Sequence, residues 1–386
     1  MEKNLFHKDF TLGILGAGQL GKMLIQEANH WNIKTLVLDK NKTMPAAQVC
    51  TQFFEGDFNN FDDVYNFGKK VDLLTIEIEH VNIEALLALE KENVLIHPSP
   101  KALALIKDKA LQRDFLLKNN LPTSSFDVFD TKQEIISAID TGKLAYPFVQ
   151  KARLAGYDGN GVAVIRNYFD QKNILNTQSI VEPFVDIEKE LSVIVARNSS
   201  EHISPFSVSE MVFRPEKNLV DMVLSPARID KDIADKVKNI AIDTISKFEM
   251  CGLLAVEFFL TKDGKILINE VAPRPHNSGH HTMNNCYTSQ FEQHLRAISN
   301  LPLGKTTEFC PSVMINLLGE VGYTGTPFYE GAEIALKIAG VSVYFYGKTS
   351  TRAYRKMGHI NIVGESVNDV IVKSRIVKDS IKIISK

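Results

Sequence analysis

The sequence predicts a mixed α/β and α+β chain: an N-terminal doubly wound parallel sheet, a middle region of antiparallel strands with covering helices, and a small β-rich C-terminal piece. Three observations predict it. Short apolar runs alternate with helical patterns from Thr11 to His97, the mark of parallel βαβ units. Longer strand patterns surround one clear amphipathic helix between Glu190 and Glu270. After Leu301-Pro302, glycines at Gly319, Gly322, Gly325, Gly331, Gly340 and Gly347 cut the chain into short segments closed by a helix near Val367.

In the first region the strands are Leu12 to Leu15, Thr35 to Leu38, Leu73 to Ile76 and Val94 to Ile96, and Pro98 and Pro100 mark its end. Lys101 to Asn119 reads as one helix leading to Leu121-Pro122. Phe126 to Glu182 holds three short strand candidates, one helix and a glycine-bearing loop. The clearest helix runs from Lys231 to Glu249, where Ile233, Val237, Ile240, Ala241, Ile245 and Phe248 recur at three- and four-residue steps and Gly252 supplies the stop. These divisions predict units at residues 1–100, 101–188, 189–305 and 306–386, consistent with 386 residues being too many for one core.

Composition excludes several function classes. A net charge of -2 gives no reason to expect nucleic acid or an anionic membrane as partner. The four cysteines, Cys50, Cys251, Cys286 and Cys310, have neither disulfide-framework nor zinc-site spacing. Met1 to Phe10 has no apolar run, and nothing approaches the roughly 20 apolar residues that span a bilayer. A cytoplasmic protein is the expectation.

Gly16-Ala17-Gly18-Gln19-Leu20-Gly21 follows a strand and opens a helix, and Asp39 ends the next strand, so a dinucleotide-binding pattern is formally complete. An NAD-dependent oxidoreductase is one reading. Glycines at a strand-to-helix turn also offer amides to any phosphate, or simply make a tight turn. Further on, Pro147 to Lys151 reads as a strand delivering a lysine, followed by Gly156-Tyr157-Asp158-Gly159-Asn160-Gly161 and the strand Val162 to Ile165. Such a hairpin tip lets amides approach phosphate oxygens and move as a lid, while the ammonium supplies countercharge. Ile180 to Val185 is an apolar strand leaving through Pro183, followed by Glu188 and Glu190, where a base meets backbone and a ribose meets a carboxylate.

Leu253 to Leu260 and Lys265 to Glu270 are strand patterns joined through Asp263-Gly264, which predicts a two-residue type I′ hairpin turn. Counting outward from Lys262 opposite Lys265 sets Glu257 opposite Glu270. Two carboxylates about 5 Å apart repel by roughly 3 kcal/mol at an effective dielectric near 20, so a cation is expected between them. Magnesium, which combines one or two carboxylates with phosphate oxygens and water, fits. Asn269 to His281 then concentrates donors: Arg274 suits an oxyanion, and His276, Asn277 and Ser278 suit a small acid beside a terminal phosphate. A zinc reading of His276, His280 and His281 is disfavoured, since Pro273, Pro275 and Gly279 break the helix that would align the rings.

Together GAGQLGKM (Gly16 to Met23), GYDGNG, NEVAPRPHNSGH (Asn269 to His280), SQFEQHLRAI (Ser289 to Ile298) and RKMGH (Arg355 to His359) resemble the ATP-grasp superfamily, and within it the N5-carboxyaminoimidazole ribonucleotide synthetases of purine biosynthesis. The resemblance covers nearly the whole chain. It implies an ATP-grasp fold with an N-terminal pre-ATP-grasp domain, and ATP- and Mg²⁺-dependent carboxylation of 5-aminoimidazole ribonucleotide by bicarbonate through carboxyphosphate. It assigns Lys109, Lys151 and the Gly156 to Gly161 lid to ATP phosphates, Glu182, Pro183, Phe184 and Val185 to adenine, and Glu190 to ribose. Glu257 and Glu270 would hold magnesium, with Asn269 beside the nucleotide and Arg274, His276, Asn277 and Ser278 at the reaction centre. Gln19, Leu20, Glu79, Tyr157, Asp158, Lys348, Arg355 and Lys356 would bind the ribonucleotide. The family also implies a homodimer. The chain departs from many relatives at Lys109, where they carry arginine, and at Phe213, where they carry histidine. The sister enzyme of the superfamily, a formate-dependent glycinamide ribonucleotide ligase, shares the ATP machinery; Gln19, where those relatives tend toward glutamate, favours the carboxylating family.

Overall fold

The computed structural model describes residues 5–154, 161–213 and 219–386. The N-terminal sheet contains β1 (Thr11–Leu15), β2 (Lys34–Asp39), β3 (Gln52–Glu55), β4 (Leu73–Ile76) and β5 (Leu95–Ile96), all parallel, in the order β3-β2-β1-β4-β5. Helices α1 (Gln19–His30), α2 (Phe61–Gly68) and α3 (Ile83–Lys91) cover its faces. The strand order reverses between β1 and β4, so the crevice beyond their carboxyl ends is where a ligand is expected. β3 was not anticipated; it is a short edge strand whose residues are only partly buried, so no continuous apolar run marks it.

The predicted helix over Lys101 to Asn119 is two helices, α4 (Pro100–Lys107) and α5 (Lys109–Lys118). Asp108 breaks them: its backbone is extended and its carboxylate accepts hydrogen bonds from the Ala110 and Leu111 amides as the cap of α5. This break starts α5 at Lys109.

Next comes a four-stranded antiparallel sheet of β6 (Asp127–Phe129), β7 (Phe148–Ala152), β8 (Val162–Ile165) and β9 (Ser179–Pro183), ordered β6-β9-β7-β8 and packed under α6 (Lys132–Asp140). The large sheet takes in β10 (Ile187–Arg197), β11 (Ile203–Pro205), β12 (Ser209–Phe213), β13 (Val220–Ser225), β14 (Gly252–Thr261) and β15 (Ile266–Ala272). Helix α7 (Lys231–Lys247) packs Val237, Ala241 and Ile245 onto Leu191, Val193, Leu254 and Val256 of this sheet. On the other side lie the short α8 (Thr282–Asn285) and α9 (Gln290–Ile298), and α9 sandwiches Phe291 and Leu295 against α1.

The C-terminal strands extend this sheet. β16 (Ser312–Leu318) pairs with β13, β17 (Pro327–Glu330) starts a separate ribbon, α10 (Ala332–Ala335) follows, and β18 (Val341–Phe345) and β19 (Lys356–Val363) complete the order β15-β14-β10-β12-β13-β16-β19-β18. Helix α11 (Val367–Ser380) covers β16 and β19, and β20 (Lys382–Ser385) pairs with β17. The four cysteines are free thiols, and no helix among the described residues is long and apolar enough to cross a membrane.

Candidate active site

A cleft of about 960 Å³ runs between the parallel sheet, the small antiparallel sheet and the large sheet. Gly18, Gln19, Leu20, Glu79, Lys109, Lys151, Glu182, Pro183, Phe184, Val185, Glu190, Phe213, Glu257, Asn269, Glu270, Arg274, His276, Asn277, Ser278 and Lys356 all line it. Of the expected glycine lid, Gly156, Tyr157, Asp158, Gly159 and Asn160 lie outside the described residues; Gly161 stands at the base of β8, and its carbonyl accepts from the Ala152 amide.

Glu257 does stand opposite Glu270, but by a different route from the count. Thr261, not Lys262, pairs across from Lys265, so the loop has three residues and ends on Gly264 at φ +81°. That shifts the register by one. A β-bulge then places Asn269 as an extra residue between the pairs Phe258–Ile268 and Glu257–Glu270, which restores it. The bulge has a chemical consequence: Asn269 and Glu270, which would face opposite ways on a regular strand, both reach into the cleft. Asn269 Oδ1 accepts from Lys151 Nζ at 2.9 Å, and Glu270 Oε1 from Lys109 Nζ at 2.6 Å.

The carboxylates differ in environment. Burial, the charge of Glu270 and that of Glu190 push the Glu257 carboxyl far above its usual range. Glu270 moves the other way: burial raises it, but Lys109, Lys151 and Arg113 together outweigh that and lower it. Glu190 is pushed up to about 7 by burial, with Lys151 offsetting part of it. Glu190, Glu257 and Glu270 crowd together, raising Glu257, and a cation between them would relieve that; a carboxylate pair with open positions suits magnesium. Among the described residues no group of three or more His, Cys, Asp and Glu is set to hold a metal. His280 and His281 engage Gln290 and Asn285 through Nδ1.

Glu182 is only 4% exposed and grips Lys151 at 2.8 Å through one oxygen and Arg113 Nε through the other. Burial alone would raise its pKa, but the two cations hold it at about 2. Lys151 therefore spends two of its three donors on Glu182 and Asn269 and has one left for the cleft. Arg113, which the sequence pattern did not reveal, also donates to the Asn269 carbonyl and so ties α5, β9 and the bulge together. No spacing rule marks it, since its partners lie 69 and 156 residues away.

At the parallel-sheet end, the amides of Gly18 and Gly21 donate to the Glu77 carboxylate, that of Gly21 at 2.7 Å. The N-terminus of α1 is thus filled by an internal carboxyl group, which leaves no room for the pyrophosphate of a dinucleotide and removes the geometric basis of the oxidoreductase reading. Glu79 pairs with Arg274 at 2.8 Å. Asn277 and Asn316 exchange amide hydrogen bonds of 2.9 and 3.0 Å, and Gln290 clamps the backbone of His276 from both its N–H and its carbonyl. Lys356 reaches the cleft; Lys348 lies behind it, donating to its carbonyl at 2.7 Å, and Arg355 turns to Ser350.

The ATP-grasp domain model matches residues 114–291, the ribonucleotide synthetase preATP-grasp model residues 10–107, and the phosphoribosylaminoimidazole carboxylase C-terminal domain model residues 312–373. The crystal structure of N5-carboxyaminoimidazole ribonucleotide synthetase from Thermotoga maritima superposes with a TM-score of 0.90 at 41% identity, over 98% of this chain and 100% of that one. The chain belongs to the N5-carboxyaminoimidazole ribonucleotide synthetase family. The synthase of this family from Aspergillus clavatus, solved in complex with ADP and 5-aminoimidazole ribonucleotide, has a TM-score of 0.88 at 30% identity over 97% of this chain and 98% of that one. Phosphoribosylaminoimidazole carboxylase of Candida glabrata is 39% identical over 93% of this chain, and the chain spans 64% of its length. These likenesses name the carboxylating family and not the formate-dependent one.

Proposed function

We propose that the protein uses ATP and bicarbonate to carboxylate the exocyclic amine of 5-aminoimidazole ribonucleotide, releasing ADP and phosphate. The observation that carries this is a cleft in which the carboxylate pair, the lysine-bearing strands and the switch-point crevice of the parallel sheet all meet, so a nucleotide and a second substrate share one chamber. A bicarbonate oxygen attacks the γ-phosphorus and ADP departs; the amine nitrogen then attacks the carboxyl carbon, phosphate departs and the nitrogen loses a proton. Glu257 and Glu270 would hold magnesium, which supplies charge neutralisation on the phosphate oxygens. Lys109, Lys151 and Arg274 add preorganised positive charge where negative charge accumulates. The strand from Glu182 to Val185 with Glu190 suits adenosine, and Gln19, Leu20, Glu79 and Lys356 suit the ribonucleotide. Glu182 contributes through its grip on Lys151, its carboxylate being fully engaged.

Lys348, Arg355, Tyr157 and Asp158 belong to the ribonucleotide side of the same proposal, as do a homodimeric state and a cytoplasmic location. The test is phosphate release from ATP with Mg²⁺ and bicarbonate, with and without 5-aminoimidazole ribonucleotide. Strong stimulation by the ribonucleotide is expected; release only with formate and glycinamide ribonucleotide would move the protein to the sister activity.

A further inference from the structure

One buried hydroxyl outside the expected site closes a circuit at the reaction centre. Ser192 on β10 is fully buried and is the register partner of Glu257 on β14. Directly opposed residues project from one face of a sheet, so both side chains point toward the segment that follows β15. There Ser192 Oγ lies 2.7 Å from Ser278 Oγ, and Ser278 Oγ lies 3.0 Å from His276 Nδ1. On its other side His276 Nε2 is 3.7 Å from Glu257 Oε1. The path Ser192, Ser278, His276, Glu257 therefore begins and ends on neighbouring positions of two paired strands.

Proton accounting fixes the direction of these bonds. The Ser278 backbone amide donates to His276 Nδ1 at 3.4 Å, and an amide can only donate. That long bond favours an unprotonated Nδ1, and the shorter 3.0 Å bond from the Ser278 hydroxyl, oriented by Ser192, is what holds it so. Ser192 donates to Ser278 Oγ, and the Ser278 hydroxyl donates to the same Nδ1. The imidazole proton is left on Nε2, the atom that faces Glu257 and the cleft. We infer that Ser192 is a positioning residue: through Ser278 it holds His276 as the Nε2–H tautomer, so that His276 presents a hydrogen-bond donor to substrate oxygens.

This inference rests on the carboxylation reading for its kinetic consequence, and the tautomer is measured independently of turnover. In protein labelled with ¹⁵N-histidine, the His276 nitrogens are identified by their loss in His276→Gln. A pyridine-type Nδ1 and a pyrrole-type Nε2 in the wild type are expected; the reverse pattern overturns the inference whatever the activity. Ser192→Ala should lower kcat about tenfold, the order of one lost hydrogen bond, with KM for ATP unchanged, and should move His276 toward a mixture of tautomers. Ser192→Thr, which keeps the hydroxyl, should restore the single tautomer. A Ser192→Ala protein with wild-type kcat and an unaltered nitrogen pattern also overturns it. Absence of ribonucleotide-stimulated turnover in the wild type would count against the carboxylation reading alone.

Discussion

Glu190 carries a free-energy cost in the ligand-free protein that can be measured directly. Its carboxyl titrates at about 7, well above the ordinary 4.5, because burial on β10 disfavours the ionised form more than Lys151 favours it. With a folded-state value above the unfolded one, the unfolded chain ionises first as pH rises, so stability falls between those two values. The penalty on the folded state is about 1 kcal/mol at pH 5 and grows to about 3 kcal/mol by pH 8, since a tenfold change in the ionisation equilibrium is worth about 1.4 kcal/mol. Glu190→Gln keeps the size of the side chain and removes the charge. Its stability relative to wild type should therefore increase by about 2 kcal/mol from pH 5 to pH 8, read from urea denaturation in metal- and nucleotide-free buffer. The variant also relieves Glu257, whose carboxyl Glu190 pushes upward, so the sign is reinforced. If Glu190 binds ribose as proposed, the same substitution should also weaken ATP binding at pH 8, where the ionised carboxylate would accept from the ribose hydroxyls. A stability difference that stays flat across this pH range, or a variant less stable than wild type at pH 8, would refute the reasoning.

Three other perturbations follow from the site. Glu270→Gln removes the cleft-facing partner of Lys109 and one carboxylate of the pair, and should cut magnesium-dependent phosphate release by at least about a hundredfold, with the magnesium requirement shifted to higher concentration. Arg113→Met strips a guanidinium from the buried Glu182 and from the Asn269 carbonyl; a loss of about 3 kcal/mol in denaturation stability and a raised KM for ATP are expected. Gly18→Ala would bring a Cβ to 2.5 Å from Glu77 Oε1, forcing that carboxylate off the α1 amides. Its expected effect is a raised KM for the ribonucleotide, with little change in KM for ATP.

The cleft residues divide by how far apart their partners are in the chain. Glu257 and Glu270 are joined by a hairpin, so local register could be counted, although the count reached the right pair because a three-residue turn and the bulge at Asn269 offset each other. The bulge was not legible: nothing in Leu267-Ile268-Asn269-Glu270 marks an extra residue, and the reason for it, the demand of Lys151 and Arg113 on Asn269, comes from other elements. The break at Asp108 was equally hidden, since apolar spacing continues through it and a capping carboxylate overrides the period.

By itself, the sequence determined most of the strands and helices, though not the edge strand β3 or the break at Asp108, and placed the glycine turns and the charged residues, because periodicity and turn chemistry act over a few residues. Only the tertiary structure decided how those charges are used. Glu77 fills the α1 N-terminus, Arg113 and Lys151 hold Glu182 at about pKa 2, Asn316 engages Asn277, and Ser192 meets Ser278 from 86 residues away. The physical reason is that a buried polar group must find its partner wherever the fold brings one, and that choice leaves no periodic trace in the chain.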